Sequence, residues 1–265
     1  MSRLQGKCAV VLGAASRDNM GQVMARRFAA EGAKVVVSGR KAQELESIAG
    51  QIGAVPFECD ITRKPQVEAL FDEAAARFGK VDIAVNCTGW GLLRKLLDTN
   101  EDEMDRLSAL QFKGPFFFLQ AASAQMARSK GGSIIMVSSA SVHALLFNHA
   151  AYIATKSAGE ALVRCFANEF GGKGIRVNSI APGLTATPMT ENEVRMPGLE
   201  QAFLNEYPLG RIGTTKDVAD AALWLAGDEC FMTGQTLQIN GGLTLRRNPL
   251  PWEINASMRR AAGGS

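Results

Sequence analysis

Two patterns of apolar and polar positions alternate along this chain of 265 residues. Short, continuous apolar runs are typical of strands buried on both faces of a parallel sheet. Longer segments with apolar residues at three- and four-residue steps favour helices. The runs predict strands at residues 7–12, 33–38, 54–58, 81–87, 133–137, 174–180 and 235–239. The stepped segments predict helices at residues 22–31, 41–52, 65–79, 101–130, 150–170 and 216–227.

This alternation predicts a single doubly wound, Rossmann-type α/β domain with a parallel sheet of about seven strands. The dinucleotide-binding and catalytic domain is expected to span residues 1–242. Within it, the polar and irregular segment 189–207 is interpreted as a mobile lid over the substrate. Residues 243–265 are expected to form a C-terminal tail whose Gly-Gly-Ser end is disordered.

Composition narrows the class of protein. The chain is 46% hydrophobic and 21% charged, as in ordinary globular proteins, and its net charge of +3 without a Lys/Arg cluster does not predict a nucleic-acid partner. No apolar run is long enough to span a membrane, and the polar N-terminus lacks the core of a signal peptide. The five cysteines are scattered and the two histidines cannot form a metal site alone, so we expect a cytoplasmic protein with reduced thiols and no metal.

The candidate chemistry follows the strand at 133–137. Ser139 comes at its end, and Tyr152 and Lys156 lie four apart on the next predicted helix, hence on one face. A lysine ammonium beside a phenol favours the phenolate, so Lys156 is expected to lower the pKa of Tyr152 from about 10. Tyr152 would then serve as a general acid or base near neutral pH. Either motif alone is common, since Tyr-x-x-x-Lys occurs on many helices and Ser-Ser often forms a turn.

The combined pattern is more specific. Ser139 lies thirteen residues before Tyr152, Lys156 follows by four, and a later strand leads into Pro182-Gly183. Over residues 5–243 the chain thereby resembles the short-chain dehydrogenase/reductase family. The resemblance implies hydride transfer between a nicotinamide cofactor and a carbonyl or secondary alcohol. It also implies that Tyr152 exchanges the proton, Lys156 holds the nicotinamide ribose and Ser139 binds the substrate oxygen.

The first strand, turn and helix predict a phosphate site, because a helix N-terminus offers free N–H groups and a positive dipole. The family's usual turn is Thr-Gly-x-x-x-Gly-x-Gly. Here Leu12 replaces the threonine, Asn19 replaces the middle glycine, and two extra residues lie before Asn19. The alternative is an ordinary surface turn. The expected cofactor contacts in this turn are Gly13, Ser16, Arg17, Asn19, Met20 and Gly21.

The end of the second strand bears on the choice of coenzyme. Gly39 stands where the family often has an aspartate that holds the adenosine ribose hydroxyls. Arg40 follows it, and Arg17 lies in the first turn. Guanidinium groups pair well with phosphate, so we expect NADP in preference to NAD. The alternative is that both arginines are solvated surface charges.

The resemblance implies further cofactor contacts. Asp60 and Ile61 would meet the adenine, although Asp60 could instead cap a helix. The family's Asn-Asn-Ala-Gly reads Asn-Cys-Thr-Gly here, so Cys87 departs from it. Leu184 and Thr187 match the contacts to the nicotinamide carboxamide. The remaining expected contacts are Asn86, Thr88, Gly89, Tyr152, Lys156, Pro182 and Gly183.

Gln111 is a further departure within the expected catalytic group. The family's helix typically reads Asn-x-x-Gly, and its asparagine helps to hold a water beside the lysine. Gln111 stands at that position and is one methylene longer. The water is therefore either displaced or held from a shifted position, and we expect the second, because glutamine offers the same donors and acceptor.

The expected partner is a small-molecule substrate, a hydrophobic ketone or alcohol, since the candidate wall residues are mostly apolar. The apolar surface of the helix at 101–130 favours a homo-oligomer, a tetramer or a dimer. Two other functions remain open. The first is enoyl reduction, because the lengthened first turn is reminiscent of enoyl reductases, although their Tyr and Lys are usually spaced more widely. The second is a catalytically inactive dinucleotide-binding regulator. The candidate wall residues are Trp90, Leu92, His143, Leu145, Leu146, Phe147, Met189 and Phe203.

Overall fold

A seven-stranded parallel sheet forms the centre of the computed structural model, which describes residues 2–129 and 131–263. Its strand order is β3-β2-β1-β4-β5-β6-β9, and a separate two-stranded pair joins β7 and β8. This arrangement confirms the predicted doubly wound α/β class. The strands are β1 (Cys8–Leu12), β2 (Lys34–Gly39), β3 (Val55–Glu58), β4 (Ile83–Asn86), β5 (Gly132–Val137), β6 (Ile175–Pro182), β7 (Thr185–Ala186), β8 (Gly213–Thr214) and β9 (Thr236–Ile239).

Helices cover both faces of the sheet. The first, second and ninth pack on one face, and the third, fifth and sixth on the other, where Phe71 and Phe118 meet edge to face at 5.2 Å. Within the described ranges, no helix combines the length and hydrophobicity needed to cross a bilayer. The helices are α1 (Met20–Ala30), α2 (Ala42–Ile52), α3 (Lys64–Phe78), α4 (Glu101–Ser108), α5 (Gly114–Arg128), α6 (Ala150–Phe170), α7 (Glu191–Val194), α8 (Leu199–Leu204), α9 (Thr215–Ala226) and α10 (Pro251–Ala261).

The helix predicted at 101–130 is not continuous. A π-helical turn at Ala109–Lys113 separates α4 from α5, and Lys130 lies outside the described residues. The cause is Pro115, which has no N–H to donate to the carbonyl of Gln111 and whose ring crowds it. The extra residue in this turn directs Gln111 inward, where its side chain is buried.

The segments predicted as an irregular lid and a tail form helices. Residues 189–207 contain α7 and α8, and residues 243–263 contain α10, which packs on α8. Gly198 lies against the α10 backbone, since a Cβ there would sit 2.5 Å from the Ser257 carbonyl oxygen. Short helices of this kind have weak periodicity and depend on tertiary packing, so the pattern did not reveal them. The end predicted to be disordered includes Gly264 and Ser265, which lie outside the described residues.

Candidate active site

One cleft runs along the carboxyl ends of the sheet strands. Its volume is about 730 Å³, a size typical of ligand sites. It lies where the strand order reverses between β1 and β4, which is the usual ligand position in open α/β sheets. The first turn, the ends of β4, β5 and β6, the start of α6, and residues of the lid and tail line it.

Ser139, Tyr152 and Lys156 line the same part of this cleft. Ser139 lies just beyond β5, whose ladder continues through the Ser138 N–H to the Ile180 carbonyl at 2.7 Å. Tyr152 and Lys156 occupy the first two turns of α6, one above the other. The fold therefore brings together the three side chains that the sequence singled out.

Lys156 is buried and held in place. Its Nζ donates to the Val137 carbonyl at 2.8 Å, and a Cβ on Gly89 would lie 3.4 Å from it. Burial lowers the pKa of Lys156 to about 8. The ammonium lies so close to residue 89 that a larger side chain there would press against it. A glycine at this position therefore leaves room for the lysine ammonium in the cleft.

Tyr152 behaves differently from the expectation. Burial raises its pKa, and the hydrogen bond with Ser139 only partly opposes this. The prediction that Lys156 lowers the Tyr152 pKa is therefore wrong: desolvation dominates, and the lysine Nζ lies 5.7 Å from the phenol ring centroid. Tyr152 is thus a protonated phenol at neutral pH, the form that can donate to a carbonyl oxygen.

Glu160 anchors the loop that carries Ser139. It lies one turn beyond Lys156, and its buried carboxylate accepts from the Ser138 hydroxyl at 2.6 Å and lies 3.2 Å from His143 Nε2. The Ser139 and Ser141 hydroxyls also bond to each other at 2.9 Å. These contacts fix the loop on α6 from both sides of Ser139.

Gln111 connects two parts of the site. Its Oε1 accepts from the Trp90 backbone N–H at 2.9 Å, and its Nε2 donates to Thr155 Oγ1 at 2.9 Å. The side chain thereby joins the loop after β4 to the catalytic helix. Both ends of the amide have protein partners, so we interpret Gln111 as a positioning residue.

Replacing Gln111 tests this role. Gln111→Asn can keep one of the two contacts, and we expect less than a tenfold loss of turnover, roughly one neutral hydrogen bond. Gln111→Leu leaves the Trp90 N–H unpaired, and we expect a loss of about tenfold or more. Turnover, pH–rate profiles and solvent isotope effects would be measured on all three proteins. A leucine variant that matches the native enzyme would show that Gln111 only fills space.

The first turn forms a close cradle. Asn19 caps α1 through its Oδ1 and donates from Nδ2 to the Gly13 carbonyl at 2.8 Å, which explains how it replaces a glycine. A Cβ on Gly13 would lie 2.8 Å from the Cys87 backbone, and one on Gly21 2.6 Å from the Gly13 oxygen. A cofactor pyrophosphate fits such a cradle of small residues at a helix N-terminus. The expected contacts that line the cleft are Ser16, Asn19, Met20, Gly21, Thr88, Gly89, Pro182, Gly183, Leu184 and Thr187.

Several expected contacts lie outside this lining. The Asp60 carboxylate accepts from the Thr62 N–H at 2.9 Å, and the Asn86 amide oxygen accepts from the Thr88 N–H at 2.9 Å, so both shape their own turns. Ile61 is buried against α5. Leu184 does line the cleft, but its N–H donates to Tyr207 Oη at 2.6 Å and is thus engaged within the protein.

The two arginines expected to bind phosphate lie outside the lining of the cleft. Arg40 is exposed beyond β2, and the Arg17 side chain is 88% exposed, 3.7 Å from Asp18. A Cβ on Gly39 would lie only 2.5 Å from the Ala15 Cβ. The lengthened first turn therefore occupies the space where the family's aspartate would begin.

Comparison with known proteins identifies the chain's family. The family model described as enoyl-(acyl carrier protein) reductase matches residues 13–244. The 7alpha-hydroxysteroid dehydrogenase of Escherichia coli strain K12 is 36% identical over 248 residues, 91% of this chain and 95% of its own length. The D-threitol dehydrogenase of Mycolicibacterium smegmatis is 33% identical over 92% of this chain and 95% of its own length.

Solved structures agree with this. A short-chain type dehydrogenase/reductase from Mycobacterium ulcerans superposes with a TM-score of 0.91 at 28% identity, over 98% of both chains. A 7 alpha-hydroxysteroid dehydrogenase complexed with NADH and 7-oxo glycochenodeoxycholic acid gives 0.84 at 35% identity, over 91% of this chain and 95% of that one. The chain belongs to the short-chain dehydrogenase/reductase family. It is an oxidoreductase that acts on hydroxyl or carbonyl groups with a nicotinamide dinucleotide.

The substrate half of this dehydrogenase/reductase differs in part from the expected wall. Trp90, Leu146, Phe147, Met189 and Phe203 line the cleft as expected. The prediction was wrong for three residues that lie outside the lining: Leu92 is buried, Leu145 faces solvent, and His143 turns towards Glu160. The sequence did not predict that residues of the tail, or His149 three positions before Tyr152, line the cleft. The missed lining residues include Cys87, His149, Thr185, Thr190, Leu243, Asn248, Ile254 and Asn255.

The tail closes one side of the cleft. Asn248 Nδ2 donates to the Ala144 carbonyl at 2.5 Å, and Arg247 forms a paired contact with Glu253 at 2.7 Å. Arg246 Nη1 reaches the Asn205 carbonyl at 2.7 Å. Lid and tail are therefore joined to each other and to the loop after Ser139.

The buried imidazole of His149 makes the free energy of unfolding depend on pH. Burial lowers its pKa to about 4, against 6.5 ordinarily. Because the folded-state pKa is the lower one, the unfolded chain takes up the proton first, and stability falls as pH drops from 6.5 towards 4. Between pH 7 and 4.5 the free energy of unfolding should fall by about 2 kcal/mol more for the native protein than for His149→Phe. Urea unfolding of both proteins at the two pH values measures this difference, and equal losses would contradict it.

Proposed function

We propose that this chain transfers hydride reversibly between NADP(H) and a carbonyl or secondary alcohol of apolar character, using Ser139, Tyr152 and Lys156. The supporting observation is the convergence of these three side chains on one cleft at the carboxyl ends of the strands. The same cleft continues into the glycine cradle of the first turn on one side. On the other side, the cleft reaches a mainly apolar wall.

Each residue has a separate task in this proposal. Tyr152 Oη donates its proton to the carbonyl oxygen during reduction and takes it back during oxidation. Ser139 Oγ hydrogen-bonds the same oxygen and stabilises the developing charge. Lys156, fixed by the Val137 carbonyl, is placed to hold the nicotinamide ribose. The bound cofactor supplies or accepts the hydride.

The raised Tyr152 pKa gives the two directions different dependence on pH. Carbonyl reduction needs the phenol, which is present throughout the neutral range. Alcohol oxidation needs the phenolate, so its rate should increase as the pH rises. This follows from the direction of the shift and from the role proposed for Tyr152.

The lining supports an apolar substrate. Leu146, Phe203, Leu243 and Ile254 belong to or pack on a small apolar cluster shared by the loop, lid and tail. Exposed Phe147 stacks edge to face on Trp252 at 6.4 Å beside the cleft. The E. coli relative, named for a hydroxysteroid, is consistent with a large apolar body.

Enoyl reduction is a second candidate, favoured by the description of the family model. The four-residue step from Tyr152 to Lys156 favours carbonyl chemistry instead. A panel of secondary alcohols, ketones and an enoyl thioester, followed at the absorbance of reduced nicotinamide with NADP(H) and NAD(H), separates the candidates. We expect turnover of ketones and alcohols. Turnover of the enoyl thioester alone would overturn the proposal, and no turnover with any of them would favour an inactive regulator.

A further inference from the structure

Ser141 places a second hydroxyl against the hydroxyl of Ser139. It is a buried residue that lines the cleft, two positions after Ser139. Its Oγ lies 2.9 Å from Ser139 Oγ, and its backbone N–H donates to the same oxygen at 3.3 Å. Throughout residues 2–129 and 131–263, the Ser141 hydroxyl forms no other hydrogen bond. Within that range, Ser139 is therefore its only protein partner.

The number of protons in this pair decides which hydroxyl donates. A serine hydroxyl has one proton to donate and can accept two hydrogen bonds. In the 2.9 Å contact, either oxygen can be the donor. A ketone oxygen has no proton, so Ser139 must donate its own proton to bind it. The hydroxyl of Ser141 is then the single donor left for the contact between the two serines.

This arrangement uses the whole hydrogen-bonding capacity of Ser139. With a ketone bound, its Oγ would accept from the N–H and from the hydroxyl of Ser141, and would donate to the ketone oxygen. Both acceptor directions are then occupied by one neighbouring residue. The Ser139 proton is left with a single direction, towards the substrate.

The short 3₁₀ turn Ala140–Val142 is held independently of the Ser141 hydroxyl. On its two sides, Ser138 Oγ donates to the buried Glu160 carboxylate at 2.6 Å, and His143 Nε2 lies 3.2 Å from the same carboxylate. These contacts fix the turn on α6. Removing the Ser141 hydroxyl should therefore leave the backbone of the turn in place.

We infer that Ser141 is a positioning residue, whose hydroxyl donates to Ser139 Oγ and thereby directs the Ser139 proton at the substrate oxygen. The inference rests on the proposed function, which places that oxygen at Ser139. A hydroxyl that accepts a hydrogen bond is polarised and becomes a stronger donor. The contribution of Ser141 therefore grows as negative charge develops on the substrate oxygen, which lowers the barrier more than it tightens ketone binding.

Replacing Ser141 gives the first test, with acetophenone and NADPH as reactants. Ser141→Ala should lower kcat about three- to tenfold and leave KM for the ketone within about twofold of native. Ser141→Thr, which keeps a hydroxyl, should recover most of this loss. Ser157→Ala is the matched control and should leave kcat unchanged, because its hydroxyl bonds to the Ile153 carbonyl at 2.8 Å outside the cleft lining. Native kcat in Ser141→Ala would overturn the inference.

A double-mutant cycle separates action through Ser139 from a direct contact with substrate or a role in the fold. Ser139→Ala should lower kcat about a hundredfold. In that background, Ser141→Ala should change kcat by less than about twofold, because the proton that it directs is absent. A further loss as large as that of the single variant would overturn the inference. Native kcat in Ser139→Ala would instead contradict the proposed function.

The carbonyl stretch of bound acetophenone provides a test without turnover, since the ketone cannot react with enzyme that holds NADP⁺. A hydrogen bond to the ketone oxygen lowers this infrared frequency, and a stronger one lowers it further. The native complex should show the lowest frequency and Ser141→Ala a higher one, whereas Ser139→Ala should be unaffected by adding Ser141→Ala. A frequency that Ser141→Ala leaves unaltered would refute the inference. Neither binding nor turnover of the ketone by the native protein would count against the proposed function and this inference together.

Discussion

Tyr152→Phe is expected to lower turnover at least about a hundredfold while cofactor binding is retained, because a positioned general acid contributes that much. The phenylalanine ring preserves the stacking on His149 and removes only the hydroxyl. Turnover would be followed by nicotinamide absorbance and cofactor binding by calorimetry. Near-normal turnover would remove Tyr152 from the mechanism.

Tyr207 provides the matched control, because it is the other tyrosine of the chain. Tyr207 is buried, and its Oη accepts from the Leu184 N–H at 2.6 Å. Tyr207→Phe deletes the same atom and leaves one backbone donor unpaired. We expect less than a tenfold loss of turnover, about the effect of one such contact. A hundredfold loss in this control would mean that any deletion near the cleft disables the enzyme.

NADP(H) is expected to bind roughly ten- to hundredfold more tightly than NAD(H), as one phosphate–guanidinium contact of about 1.5–3 kcal/mol implies. The motivation is exposed Arg40, with a second exposed arginine, Arg17, on the first turn, and the lack of an acid at Gly39. Arg40→Asp should reverse the preference, since an acid there repels the 2′-phosphate. Calorimetric titration with both coenzymes measures it, and tighter binding of NAD(H) by the native protein would contradict the prediction.

Two further variants test whether the coenzyme preference depends on the positions at the end of β2. Arg128→Asp makes the same change of charge at the end of α5, just before the amino end of β5 and thus away from the cleft at the carboxyl ends, and should leave the preference unaltered. Gly39→Asp should weaken binding of both coenzymes, because its Cβ would overlap the Ala15 Cβ. If Gly39→Asp instead produced a normal NAD site, the lengthened turn would have to be more adaptable than its contacts indicate.

The sheet was predictable because its strands are continuous apolar runs bounded by turns. The break at Gln111 was harder to predict, since the stepped pattern continues through it and only Pro115 signals a disturbance. The helices of the lid and tail depend on contacts such as Gly198 against Ser257, between positions far apart in the sequence. Periodicity reports only local structure, so it cannot reveal them.

The features of the candidate site likewise divide into those that the sequence predicted and those that it did not. Ser139, Tyr152 and Lys156 were found because their combined spacing resembles that of the short-chain dehydrogenase/reductase family; helix geometry by itself places only Tyr152 and Lys156 on one face. The pKa of Tyr152 was predicted in the wrong direction, since sequence shows that Lys156 is a neighbour but not that desolvation raises the pKa of the phenol. His149 carried a signal that went unused, its step of three from Tyr152 on the same helical face.

The attachment of α10 beside the cleft has a consequence for engineering. The proposed coenzyme contacts lie on the first turn and on the ends of β4 and β6, whereas Asn248, Ile254 and Asn255 lie on a segment outside the sheet. Randomising Ile254 and Asn255 should therefore sample new substrate ranges, while Asn248 and Glu253 keep the tail attached and the sheet core stays intact. Variation at this segment offers a short route by which one enzyme of this type could diverge into several with different substrates.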